Sequence, residues 1–345
     1  MKQINMLVAF LLLFFFASHP TAVAQISTLA SPNFWKILNM EHVDAGGTSI
    51  FPVLENSSSS YRTFFGFYTR NGHSFILSIV FWGPQAPVIW SANPENPVSG
   101  DAILNFTREG DLLLQDGDRT ISWSTETKNR LVSRMSLDVS GNLVLFDQNN
   151  YSLWQSFDHP TDTLVLGQAL CRGQNLSATP SNTKWPDARI YFSAELDGLQ
   201  YSFEPAAYIQ LFQAITPPTY RTTTCYAFVN GSLGFPDKIF LLPLASSMQL
   251  MKLESDGHLR LYEMVMPNLE LLMVLDVLSI AMNSCDYPLA WGDYGVCSNG
   301  QCSCPSLSYF RFQDERHPDA GCTPLTSISC DHVHDHQLMP LYNVS

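Results

Sequence analysis

EGDLLLQDGDRTISWS, Glu109 to Ser124, and SGNLVLFDQNNYSLWQ, Ser140 to Gln155, are one pattern written twice. Gly110 and Gly141, Leu112 and Leu143, Leu114 and Leu145, Asp116 and Asp147, and Trp123 and Trp154 are each 31 positions apart, without a gap. Trp90, in PVIWSA, lies 33 residues before Trp123, so an apolar strand ending in Trp recurs three times at a nearly fixed period. Leu or Val alternates with other residues inside each unit, Gly, Asp and Asn fill the breaks, and no run has the apolar spacing of a helix. Short antiparallel strands follow, and with them an all-β class. The period also places the three indoles equivalently, so they are expected to be buried around one axis, each ring N–H with a partner.

The rest of the chain sets the context. Of its 345 residues 46% are hydrophobic, enough for one large or two ordinary packed domains. Only 14% are charged and the formal charge is -13, which disfavours nucleic acid and anionic membrane faces as partners. Lys2, the apolar run Met6 to Ala17 and Ala22-Val23-Ala24 before Gln25 read as a secretory signal peptide over residues 1–24. No later stretch reaches membrane-spanning length, because Pro267, Glu270 and Asp276 interrupt the best candidate near Leu271 to Ala281. Six Asn-x-Ser/Thr acceptors begin at Asn56, Asn105, Asn150, Asn175, Asn230 and Asn343, which an exported chain would present for glycosylation. All eight cysteines fall at 171 and beyond, and in an exported chain they are expected in disulfides rather than around zinc. His332, His334 and His336 alternate, but no carboxylate or cysteine spacing completes a metal site with them.

WQSFDHPTDTLVLG, Trp154 to Gly167, sets an acid, a histidine and a second acid side by side. Pro160 disfavours helix at His159, and Asp158 and Asp162 can accept from nearby backbone N–H groups, so the segment reads as a structural turn. A hydrolytic dyad would also need a nucleophile and an oxyanion site aligned with His159, which a sequence-adjacent acid and histidine do not supply, and the chain has no Gly-rich loop with a following catalytic Lys, no HRD and no DFG triplet. Neither an enzyme nor a cofactor is expected.

VIWSANPENPV, SGNLVLFD and LWQSFDHPTDTLVLGQ, followed by SDGHLRLYE, CDYPLAWGDYGVCSNGQCSCP, DERHPDAGC and SISCDHVHDHQL, together resemble the plant bulb-type lectin proteins of the S-locus glycoprotein and G-type lectin receptor-like kinase type. The resemblance runs from about residue 40 to 338. It implies a β-prism II bulb-type lectin domain with three four-stranded sheets over residues 25–163. A second lectin-like β domain over 164–283, an EGF-like module over 284–323 and the truncated start of a PAN-like region over 324–345 would follow.

The resemblance also implies site residues. Mannose sites of this family read Gln-x-Asp-x-Asn-x-Val-x-Tyr, presenting alternate side chains of one strand to the sugar. Here the second copy is Thr107, Glu109, Asp111, Leu113, Gln115, and the third is Asp138, Ser140, Asn142, Val144, Phe146. Only Asn142 and Val144 keep the pattern; the third copy is the weak candidate for carbohydrate. No first copy is found near Asn71-Gly72, and a later one reads Glu254, Asp256, His258, Arg260, Tyr262. The EGF-like pattern implies disulfides Cys285–Cys297 and Cys304–Cys322. It places Trp291 where a cysteine belongs, leaving Cys302 and Cys330 without their usual partners, while Cys171 and Cys225 lie outside it and stay open.

The expected protein is a secreted, extracellular or cell-wall glycoprotein recognising a mannose-type glycan or an extracellular protein, with a membrane receptor-like kinase as a further candidate partner. A structural cell-wall glycoprotein is the alternative, as is a truncated receptor-like serine/threonine kinase that would be anchored in the membrane.

Overall fold

The computed structural model describes residues 29–37, 42–43, 47–57, 61–178, 189–195, 198–204, 207–213, 225–235, 240–287, 291–326 and 340. The expected signal peptide, Cys330, the His332–His336 alternation and Asn343 lie outside them. Among the described residues the regular structure is strand and short 3-10 turns, and no helix is long and apolar enough to cross a membrane.

Three sheets form the first half. One has five strands, His42–Val43, Ser49–Ser57, Arg62–Thr69, Ile76–Trp82 and Val88–Ser91, where the family pattern implied four. The second runs Ile121–Ser124, Leu112–Gln115, Ile103–Phe106, Asn33–Lys36, and the third Leu29–Ala30, Arg134–Leu137, Leu143–Phe146, Ser152–Gln155. The two strands nearest the N-terminus thus complete the second and third sheets, pairing Trp35 with Leu104 and Ala30 with Met135. Inward residues of all three sheets, among them Leu77, Ile79, Leu104, Leu112, Leu114, Leu143 and Leu145, form one core.

On the axis of that core the indoles meet. Trp90, Trp123 and Trp154 pack edge to face in all three pairs, with centroids 5.7, 6.0 and 5.9 Å apart. Trp90 and Trp154 are buried, but Trp123 is only half-buried, so the repeat yields two covered rings and one at the rim.

The second half repeats the architecture with four-stranded sheets. They are Thr163–Val165, Gln249–Leu253, Leu259–Val265, Glu270–Asp276; then Ala169–Cys171, Cys225–Val229, Ser232–Phe235, Phe240–Leu241; then Asn175–Ala178, Arg189–Glu195, Gly198–Glu204, Ala207–Gln213. The first of these is shared between the halves. Val165 and Leu250 face the first core while Leu164, Met251 and Leu253 face the second, because successive side chains of a strand point to opposite sides. A strand covered on both faces is buried at successive positions, as Thr163–Val165 and the first three residues of Gln249–Leu253 are here.

Cys171 and Cys225, left open by the sequence, are cross-strand neighbours and form a disulfide that ties two strands of the second half. Beyond residue 284 two small hairpins carry the disulfides Cys285–Cys297 and Cys304–Cys322. Cys302 lies outside these three bonds, its sulfur 3.9 Å from the carbonyl oxygen of Trp291, the residue standing where the family pattern has a cysteine.

Candidate functional site: one turn built repeatedly

The strand expected to meet sugar begins in a tight turn, and among the described residues three such turns carry a glycine at the fourth position. Thr107 N–H donates to the Asp111 carbonyl at 2.8 Å, Asp138 N–H to Asn142 at 3.0 Å and Glu254 N–H to His258 at 2.9 Å. Gly110, Gly141 and Gly257 sit at φ +86°, +85° and +93°, a left-handed conformation costly for any residue with a Cβ. In each turn the last residue, Asp111, Asn142 or His258, delivers its side chain to the neighbouring strand or just beyond it.

In the third copy Asn142 is buried. Its Nδ2 donates to Gln155 Oε1 at 3.0 Å, and its Oδ1 accepts from Ser156 Oγ and the Phe157 N–H, both at 3.3 Å. The Asp138 carboxylate accepts from the Asn142 N–H at 2.8 Å and from Ser140 Oγ at 2.7 Å. Val144 is buried, and Phe146 carries the Arg134 guanidinium 4.1 Å above its ring. Polar atoms of Asp138, Ser140 and Asn142 are therefore bonded within the protein.

The second copy does the same with different residues. Asp111 is buried and accepts from Ser124 Oγ at 2.9 Å, Thr125 Oγ1 at 2.9 Å and the Thr127 N–H at 3.1 Å. Thr107 Oγ1 accepts from the Asp111 N–H at 3.1 Å. Leu113 and Gln115 lie half-buried on the strand that follows, and Glu109 is exposed.

A backbone landmark locates the missing first copy. The N–H of Leu112 donates to Thr125 Oγ1 at 3.1 Å and that of Leu143 to Ser156 Oγ at 3.0 Å; the corresponding bond in the first sheet is Leu77 N–H to Asn93 Oδ1 at 2.8 Å. Ile76, Ser78 and Val80 therefore stand where Asn142, Val144 and Phe146 stand in the third sheet. A satellite core of Ile50, Phe64, Tyr68, Val80 and Ala86, with Ile76 and Trp82 against it, covers that face. Sequence reading found no site there because Ile76 and Val80 have become apolar packing and the Ser78 hydroxyl is paired with that of Ser91.

The copy in the second half is charged. Arg260 holds Asp256 in two hydrogen bonds, Nη1 to Oδ1 at 3.0 Å and Nη2 to Oδ2 at 2.7 Å. Burial opposes charge on Asp256, but the guanidinium and the His258 N–H outweigh it, holding the carboxyl below its usual range. His258 Nδ1 lies 2.6 Å from Asp276 Oδ2 and its ring stacks on Tyr287 at 3.8 Å. Tyr262 donates to Glu254 Oε1 at 2.8 Å, and burial followed by that carboxylate pushes the phenol well up. Asp276 carries no motif, and the motif that contains Tyr287 does not point to His258; only the repeated turn could have pointed to the pair.

Asp158-His159-Pro160-Thr161-Asp162 lies over the end of the tryptophan axis. Trp90 Nε1 donates to the His159 carbonyl at 2.7 Å and the imidazole stacks on Trp154 at 5.1 Å. Burial against that indole lowers the imidazole's pKa, with Asp158 pulling the other way. Asp162 pairs with Lys252, its carbonyl accepts the Leu253 N–H at 2.8 Å, and the Thr161 carbonyl accepts the Ser177 N–H at 2.7 Å. The segment joins the two halves. Among the described residues no group of three or more His, Cys, Asp or Glu is placed to hold a metal.

The chain carries a bulb-type lectin domain. Residues 87–185 match the D-mannose binding lectin family. More particularly, its homologues are G-type lectin S-receptor-like kinases and EP1-like glycoproteins. A G-type lectin S-receptor-like serine/threonine-protein kinase of Arabidopsis thaliana is 30% identical over 327 residues, 87% of this chain and 35% of the kinase. The kinase SD2-5 of the same type and plant is 33% identical over 163 residues, 47% of this chain and 19% of the relative. EP1-like glycoprotein 2 of Arabidopsis thaliana is 30% identical over 265 residues, 63% of this chain and 57% of the glycoprotein. The chain thus spans between a fifth and three fifths of these relatives' lengths.

Proposed function

We propose that this chain is an exported, N-glycosylated, non-enzymatic recognition module of the receptor-ectodomain type, and that it meets its ligand through surfaces other than the mannose strand faces. One observation carries the reading: the polar side chains at the pattern positions of the third copy are bonded to one another and to Gln155, Ser156 and Phe157. A sugar would have to replace those bonds rather than add to them. Each bond left unmade forfeits on the order of 1 kcal/mol, so two cost roughly a hundredfold in affinity.

The test is retention on immobilised mannose by protein stripped of its own glycans. Passage in the void volume is the expected result; retention that free mannose elutes overturns the reading. A second reading, a structural glycoprotein, draws on the larger share of the EP1-like relative that the chain spans, 57% against 35% of the kinase. Sequencing the transcript past Ser345 separates the two, since only a receptor continues into a membrane span and kinase.

A further inference from the structure

Between the two halves lies an open cleft of about 930 Å3 whose walls come from separate parts of the chain. Its volume falls in the range of small-ligand sites, about 300–1,000 Å3. The cleft is lined by Arg70 and by Glu95 and Asn96, in the exposed loop after the Val88–Ser91 strand, together with Lys252, Glu254, the Asn175–Ala178 strand and Tyr191. Lys252 is paired with Asp162 and Glu254 accepts from Tyr262, so no cluster of uncompensated cations is present to select an anion. Amides, hydroxyls, mixed charges and one aromatic ring match a neutral, hydroxyl-rich ligand.

A second, independent feature coincides with this cleft. Asn175-Leu176-Ser177 is an N-glycosylation acceptor, Asn175 is exposed, and both Asn175 and Ser177 line the cleft because alternate residues share a strand face. Asn175 pairs across the sheet with Ser193 and Ser177 with Tyr191, which sets Tyr191 diagonal to the acceptor. A diagonal neighbour, about 7–8 Å away, is within reach of an aromatic ring, so the phenol can stack on the first sugar attached to Asn175. Two of the other acceptors differ: Asn56 donates its own amide to the Leu137 carbonyl at 2.8 Å, and Asn150 stands on an exposed turn.

We propose that the cleft is an oligosaccharide seat that shares only Glu254 with the mannose-pattern positions, and that its occupant is the N-linked glycan of Asn175, folded inward between the halves. The transfer forms an N-glycosidic bond from the Asn175 amide nitrogen to the sugar, with a lipid-linked pyrophosphate as leaving group taking the electron pair and a proton leaving the amide. The inference rests on the export reading above.

The full chain, expressed with its own N-terminus in a eukaryotic secretory host, tests it by glycopeptide mass spectrometry, endoglycosidase release from the native protein and hydrogen exchange. Asn175 is expected to be occupied, and its glycan to be released roughly tenfold more slowly than the one at Asn150. After release, amides at Glu95–Asn96 and Lys252–Ser255 should exchange roughly tenfold faster, and Asn175→Gln should reproduce that while Asn150→Gln does not. Should Asn175→Gln not fold, the enzymatic release alone decides. Equal release rates with unchanged exchange, or an unmodified Asn175 beside modified acceptors elsewhere, overturns the inference and leaves the export reading standing. If no asparagine is modified, the export reading fails first, and with it the inference.

Discussion

The turn at Asn142 and the turn at His258 share a backbone and differ in chemistry. One is closed by neutral groups, an amide shared among Gln155, Ser156 and Phe157; the other by charged ones, His258 against Asp276 and Arg260 against Asp256. The halves that contain them differ in the same direction. Three indoles close the axis of the first core, whereas the buried aromatic residues of the second include Tyr201 and Tyr287 beside Asp276 and no tryptophan among those described. The repeated element is therefore the glycine turn with its strand. Which groups close it varies with what each half has available.

The largest effect expected from breaking this comparison comes from the first axis. Trp90→Ala removes a buried ring, two indole contacts and the bond to the His159 carbonyl, and should cost about 3–5 kcal/mol in denaturant melts. A loss below about 1 kcal/mol would show that the axis is not what holds the first half. In the second half the covalent tie takes that place. Replacing both cysteines, Cys171→Ser with Cys225→Ser, opens a link spanning 54 residues and should destabilise by about 2–4 kcal/mol, with exchange rising in the second half before the first.

The closing groups come next. Asn142→Ala leaves the half-buried Phe157 N–H and the buried Ser156 hydroxyl without that acceptor, for an expected loss of about 1–3 kcal/mol. Unfolding of the variant at unchanged stability would mean that Asn142 is kept for a ligand after all.

Acid separates the halves with the smallest effect. Asp256 has a folded pKa below its unfolded value of about 3.9, so the stability it supplies is present above that pH and lost as pH falls through the folded value. His159 has a folded pKa below about 6.5, so its contribution is complete above that pH and declines as pH falls through the folded value. The imidazole is open to solvent on its outer side, which keeps this decline small. Stability against pH should therefore bend weakly near 6 and more firmly below 4. His159→Gln should weaken the first bend, to which His42 also contributes, and Asp256→Asn the second, which Asp116 and Glu263 share; two unchanged profiles would refute the assignment of both.

Much of the first half was legible in the chain. Leu112 and Leu143, Trp123 and Trp154, recurring at 31 residues with glycines at the turns, suffice for strands, register and a common axis, because a strand's period of two leaves its inward set only one way to face. The fifth strand of the first sheet was not legible, nor was the half-exposed rim position of Trp123. Both depend on what packs from outside the repeat.

The candidate site was legible in position and illegible in use. Asp138, Ser140 and Asn142 could be placed on a strand by spacing alone, yet spacing does not say that Gln155 and Ser156 lie opposite with groups to match. Nor could it pair Cys171 with Cys225 across 54 residues, set Asp276 beside His258, or bring Asn175 and Asn96 to one cleft. Period, turn glycines and alternation are local properties, read from neighbours along the chain, and they determined the β class and the repeat. Hydrogen-bond satisfaction, disulfide pairing and cleft walls join residues tens to hundreds of positions apart, and only the packed tertiary structure decided them.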